Sequence, residues 1–148
     1  MKVGITNDHA ASKLKLDLID YLSAKGIEMV NYGTDTDEPF DYPLAANALC
    51  DGLKNKECDL GIAICGTGVG ISIACNKHKG IRACCCSEVD SARLCREHND
   101  ANVICFGARI IDLDTAKQIV DTFLETPFSN GERHIKRIAM LKDIEDNN

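Results

Sequence analysis

Cys65-Gly66-Thr67-Gly68-Val69-Gly70 puts a thiol at the head of a run with glycine at every second position. Glycines spaced this way between a strand and a helix leave backbone N–H groups open to an anion, so phosphate or a developing oxyanion is the natural guest. A dinucleotide fingerprint would instead read G-x-G-x-x-G after the first strand, with Glu88 standing about where its ribose-binding acid belongs. A plain tight turn is the structural alternative. Cys65 lies at a strand exit just ahead of a helix start, where the helix N-terminus favours a thiolate. It is a candidate base or nucleophile, with simple packing as the alternative. Thr67 is placed to hold that thiolate or a substrate hydroxyl, and equally to cap the following helix.

Asp8-His9 adds a carboxylate and an imidazole at the end of the first apolar run, suited to moving protons or meeting a phosphate. Asp8 as an ordinary helix cap is the competing reading. His98, within Arg96-Glu97-His98-Asn99-Asp100, is either an acid or a cation closing a helix end, whereas His78 between two lysines reads as solvated. Arg133 and Arg137 stand four apart and share one helix side with His134 nearby, a clamp for phosphate or else a solvated face beside Glu132 and Asp143.

These groups have to be held by a chain of 148 residues, 45% hydrophobic and 27% charged, which is enough for one domain across 1–148 with a filled core. The net charge of −6 argues against a nucleic-acid partner, although every arginine falls in the second half, so positive charge is local. Lys2 to Thr6 and then Asp8-His9 do not form a basic start followed by an apolar signal run, and no stretch reaches membrane-spanning length. A reduced cytoplasmic setting is expected, in which most of the nine cysteines, Cys84 to Cys86 among them, pack as small hydrophobes. Their spacing suggests neither a disulfide framework nor a zinc cage.

Short β-type runs alternate with helical periods along the whole chain. Lys2 to Thr6 is followed by a helix with Leu14, Leu18, Ile19 and Leu22 on one face, a stop at Gly26, and a second strand from Ile27 to Asn31. A helix over Tyr42 to Leu53 precedes a doubly buried strand, Leu60 to Ile64. After the glycine loop come a helix through Asn76, a strand over Ile81 to Cys86, a helix capped by Ser87 and running to about Arg96, a strand over Val103 to Phe106, and a helix capped by Asp112. The pattern predicts a three-layer α/β/α sandwich, Rossmann-like, with a five-stranded parallel sheet. A C-terminal helix over about 132–146, with Ile135, Ile138, Leu141 and Ile144 at helical spacing, extends past the last strand and is expected to pack on a partner subunit. Ligands of such sheets bind at the carboxyl ends of the strands, where Asp8-His9, the Cys65 loop, Ser87-Glu88 and Gly107 to Arg109 all fall. His98 precedes its strand and needs another route to the same place.

Asp8-His9, Asp41-Tyr42-Pro43, the segment from Cys65 to Ala74, Asn76-Lys77, Gly80 to Ala83, the segment from Arg96 to Val103, Gly107-Ala108-Arg109 and Arg133-His134 occur in the order of the ribose-5-phosphate isomerase B family. The chain resembles that family, which also contains allose and galactose phosphate isomerases, over nearly its whole length. The resemblance implies an aldose–ketose isomerase without metal or other cofactor, acting on a small sugar phosphate, most simply ribose 5-phosphate and ribulose 5-phosphate. A six-carbon sugar phosphate is the alternative substrate, and a non-catalytic phosphate or nucleotide-binding module the alternative class. It also implies a homodimer or dimer of dimers with active sites at the subunit interface. On that basis Cys65 is the base for carbon-bound protons, helped by Thr67, and the amides of Gly66, Gly68 and Gly70 hold the enediolate oxygen, with Ser72 lining the loop. Asp8 moves protons between substrate oxygens, and His98, from the neighbouring subunit with Asn99, assists ring opening. His9, Arg109, Arg133 and Arg137 surround the phosphate, and Tyr42 contacts the sugar. Ala11, Cys75 and Val89-Asp90 depart from the family's usual residues and bear on substrate size.

Overall fold

The computed structural model describes residues 1–148. Five strands, β1 (Lys2–Asn7), β2 (Glu28–Asn31), β3 (Leu60–Cys65), β4 (Ala83–Cys85) and β5 (Val103–Gly107), form one parallel sheet in the order β2-β1-β3-β5-β4. Six α-helices connect or follow them: α1 (Ser12–Ala24), α2 (Tyr42–Lys54), α3 (Val69–Asn76), α4 (Val89–Asn99), α5 (Leu113–Glu125) and α6 (Glu132–Asp146). No helix is long and apolar enough to cross a membrane.

β1, β3 and β5 are buried almost throughout because helices cover both of their faces, which explains apolar runs without alternation. On one face Ile5, Ile62, Ile64, Ile104 and Phe106 pack against Leu18 and Leu22 of α1, Cys95 of α4, and Ile119 and Phe123 of α5. On the other, Ala63, Cys65 and Cys105 meet Leu49 and Cys50 of α2 and Ile71 and Cys75 of α3. All nine cysteines are free thiols; seven are buried, Cys84 is half-buried and Cys85 exposed.

The chain leaves β1 toward β2 and leaves β3 toward β5 and β4, so the winding reverses between β1 and β3. That reversal opens a crevice at the carboxyl ends of these two strands. Register places Asn7 beside Ile64 and Cys65 beside Gly107, which brings three strand ends to one place.

Three local expectations are corrected. Glu88, not Ser87, caps α4: its carboxylate accepts the Ser91 N–H at 2.9 Å, which holds its pKa below the ordinary value. That use as a cap also removes it as a ribose-binding acid. α4 runs on to Asn99 and ends only where Asp100 turns left-handed at φ 45°. β4 is shorter than Ile81 to Cys86, because the Arg82 N–H goes to the Asn102 side chain and Ile81 still belongs to the turn from His78.

Candidate active site

The loop between β3 and α3 is built on one backbone conformation that only glycine adopts cheaply. Gly68 has φ +83°, and a Cβ there would stand 2.6 Å from the Phe106 carbonyl carbon. With Gly68 so placed, its N–H points back and donates to Cys65 Sγ at 3.1 Å. Cys65 itself is 4% exposed, at the carboxyl end of β3. Thr67 is exposed; its hydroxyl oxygen accepts the Val69 N–H at 3.2 Å, so it serves the helix start while facing solvent. Ser72 is buried one turn into α3, its hydroxyl donating to the Val69 carbonyl at 2.7 Å.

Neighbouring strand ends close on this loop. The Asp8 N–H donates to the Ile64 carbonyl, the Ala108 N–H to Cys65 and the Arg109 N–H to Gly66, at 2.9 to 3.1 Å. Asp8 Oδ1 accepts the Ala10 N–H at 3.0 Å, capping the 3-10 turn His9–Ala11, so the cap reading is correct, and the second carboxylate oxygen is left for other work. The Arg109 side chain lies over Gly66, where a Cβ would stand 3.1 Å from the guanidinium. The Tyr42 ring, at the start of α2, covers Gly70 in the same way at 2.9 Å. His9 Nδ1 accepts the Phe40 N–H at 3.0 Å.

Asp8, His9, Tyr42, Cys65, Gly66, Thr67, Gly68, Gly70, Ser72 and Arg109 therefore gather at one edge of the sheet. His98, Asn99, Arg133 and Arg137 do not join them. α4 ends beside the start of β5, and the five residues of β5 separate that end from the crevice by roughly 16 Å at about 3.3 Å per residue. At this second edge His98 stacks on His134 with ring centroids 4.5 Å apart. His134 is the one buried residue of α6, its Nδ1 held 2.7 Å from the Ser129 hydroxyl, so it anchors the helix rather than serving a clamp. Burial, and after it the charges of His98, Arg133 and Arg137, push its pKa below the ordinary imidazole value.

The arginines divide by use. Arg82, Arg93 and Arg96 pair with Asp100, Glu97 and Asp100, at 3.4, 3.2 and 2.9 Å. Arg109, Arg133 and Arg137 are exposed and make no ion pair, with Glu132 or Asp143 or any other acid. Exposed, uncompensated guanidinium groups are suited to an anionic ligand.

Sequence reasoning passed over a buried polar cluster beside the crevice. Lys15 is fully buried, as are Asn7 and most of Ser12, and all three hold the segment between β2 and α2. The available signal was position: Ser12, Lys15, Leu18 and Leu22 form the buried stripe of α1 at three- and four-residue spacing.

An anion-binding loop with a buried thiol at the switch point of a parallel sheet defines a Rossmann-like α/β protein built for a small phosphorylated ligand. The chain belongs to the ribose/galactose isomerase family, whose model matches residues 3–141. It is 44% identical to ribose-5-phosphate isomerase B of Escherichia coli over 97% of this chain and 96% of that one. Galactose-6-phosphate isomerase subunit LacB of Clostridium acetobutylicum is 35% identical over 99% of this chain and 85% of its own length. The solved ribose-5-phosphate isomerase B of Clostridium thermocellum superposes with a TM-score of 0.97 at 46% identity, covering 99% of each chain.

Proposed function

We propose that the chain is an aldose–ketose isomerase interconverting ribose 5-phosphate and ribulose 5-phosphate, acting as a single domain over residues 1–148. The observation that carries this reading is Cys65 at the carboxyl end of β3, with the Gly68 amide on its sulfur and the unpaired Arg109 lying over the same loop. Family membership and the E. coli relative support the substrate.

In this mechanism Cys65, as a thiolate, removes the proton from the carbon next to the substrate carbonyl. The resulting enediolate oxygen is held by the remaining amides of the Gly66–Gly70 loop, since the Gly68 and Val69 N–H groups already serve Cys65 Sγ and the Thr67 hydroxyl. Thr67 steadies the sulfur or a substrate hydroxyl. Cys65 returns the proton to the neighbouring carbon while the free oxygen of Asp8 shuttles the hydroxyl proton between the two substrate oxygens. Ring opening needs an acid at the ring oxygen, assigned to His98 with Asn99 beside it. His9, Arg109, Arg133 and Arg137 surround the phosphate, and Tyr42 lies along the sugar. No metal or cofactor takes part.

Because His98, Asn99, Arg133 and Arg137 lie at the opposite sheet edge from Cys65, the complete site takes them from a second copy of the chain. A homodimer, alone or paired into a dimer of dimers, supplies this. The exposed apolar side chains of α6, Ile135, Leu141 and Ile144, are the surface assigned to partner contact. A cytoplasmic setting suits a sugar-phosphate enzyme with nine free thiols.

The test is turnover of ribose 5-phosphate and allose 6-phosphate in parallel, without added metal and with a Cys65→Ala control. Ketose formation from ribose 5-phosphate that falls by about 10³-fold or more in the variant, with ligand binding retained, is the expected result. Preference for the six-carbon substrate would move the assignment toward the galactose-6-phosphate isomerase relative. Binding without turnover of either would replace the isomerase with a binding module.

A further inference from the structure

Lys15 is the largest fully buried side chain in the molecule, and it carries a charge. Its Nζ lies 2.9 Å from the Tyr32 carbonyl, 2.9 Å from the Thr34 carbonyl and 2.8 Å from Asp35 Oδ1. Each proton of the ammonium thus has an acceptor, the condition under which a buried cation is tolerated. The three acceptors come from one short stretch, the beginning of the connection between β2 and α2. The same stretch is gripped twice more: the Thr34 N–H donates to Asn7 Oδ1 at 3.1 Å, and the Ser12 hydroxyl donates to the Thr36 carbonyl at 2.6 Å.

Left to itself this connection has little reason to hold a shape. Asp35, Asp37, Glu38 and Asp41 are all exposed and repel one another, and between Gly33 and Asp41 only Phe40 packs on the core. Yet its far end carries two site contacts. The Phe40 N–H donates to His9 Nδ1, and Tyr42 opens α2 with its ring on Gly70. A ring nitrogen that accepts an N–H is unprotonated, so the neutral His9 carries its proton on Nε2 and offers that nitrogen to a ligand. The Phe40 carbonyl lies 3.3 Å from the same Nδ1, so a small shift of the connection would favour the other tautomer.

We infer that Lys15 is a positioning residue: by clamping residues 32–35 against α1 it fixes the path of the connection, and through Phe40 and Tyr42 it sets the tautomer of His9 and the wall over the glycine loop. This deepens the isomerase reading, on which the placement of His9 at the phosphate rests.

Lys15→Met keeps most of the buried volume and removes the three hydrogen bonds. The nitrogen shifts of His9 in long-range 15N–1H NMR should report Nε2–H in the unsubstituted chain and a tautomer mixture in the variant. KM for ribose 5-phosphate should rise by about tenfold or more while kcat stays within about threefold, since Cys65 and Asp8 are not touched. Asp35→Asn, at an exposed position, should change both readouts in the same direction by less. A folded Lys15→Met that keeps Nε2–H and an unchanged KM would overturn the inference. So would an unfolded Lys15→Met accompanied by an Asp35→Asn indistinguishable from the unsubstituted chain. If the unsubstituted chain turns over no ribose 5-phosphate, the isomerase reading fails, and the tautomer comparison alone decides the positioning role.

Discussion

Gly68 joins two demands in one residue, a left-handed backbone and a close approach to Phe106, and the Gly68 amide on Cys65 depends on both. Gly68→Ala adds about 1–2 kcal/mol of backbone strain before the clash with Phe106 is counted. Its melting temperature should drop by several degrees or more, and its activity should fall further than stability alone explains, checked by calorimetry beside turnover. Arg133→Ala removes an unpaired, exposed guanidinium, so the fold should be unaffected and KM for the phosphorylated substrate should rise by about tenfold, whereas a sugar lacking phosphate should show no such difference. These residues were legible because their types are costly to explain otherwise: glycine at alternate positions, a thiol at a strand exit, guanidinium groups in a row. Lys15 was not, because lysine on an amphipathic helix reads as solvent-facing, and only the three carbonyl and carboxylate oxygens that receive it, from a segment distant in sequence, reveal its burial.

At the scale of elements the alternation of apolar runs with helical periods placed all five strands and six helices, since a parallel sheet covered on both faces leaves continuous apolar stretches. Ends were less legible. The extra turn of α4 depends on Asp100 adopting a left-handed conformation, where it pairs with Arg96 one turn back and with Arg82, a partner that sequence spacing does not disclose. α6 is held by few contacts, chiefly the buried His134 between Ser129 and His98. Its pKa is lower folded than unfolded, so the unfolded chain binds more protons near neutrality and stability rises with pH there. The contribution is therefore complete above the unfolded value of about 6.5 and is lost as pH falls from there through the lower folded value. Protection factors of the α6 amides, taken against the intrinsic exchange rate at each pH, should fall as pH is lowered through about 6.5, and His134→Gln should flatten that dependence.

Across the whole molecule the candidate site residues fall into two sets at opposite edges of the sheet; sequence reading set His98 apart by its place ahead of β5, but grouped Arg133 and Arg137 with Arg109, which the structure places at the other edge. The assignment to two copies predicts complementation. A chain with Cys65→Ala and a chain with His98→Ala are each nearly inactive alone. Unfolded together and reassembled, half of the dimers are mixed and each has one intact site, so about a quarter of the original activity should return under a two-fold arrangement. No recovery would place both groups in one chain's site.

The separation of these edges also ties rate to abundance. With each site completed by a second copy, as proposed, a lone protomer would have no chemistry of its own, and turnover per chain should follow the law of mass action for association. Serial dilution at saturating substrate should leave specific activity constant down to the dissociation constant and then lower it in proportion to chain concentration. Substrate bridging the two halves would push that threshold downward, so a cell poor in sugar phosphate would hold fewer working sites than its stock of polypeptide suggests.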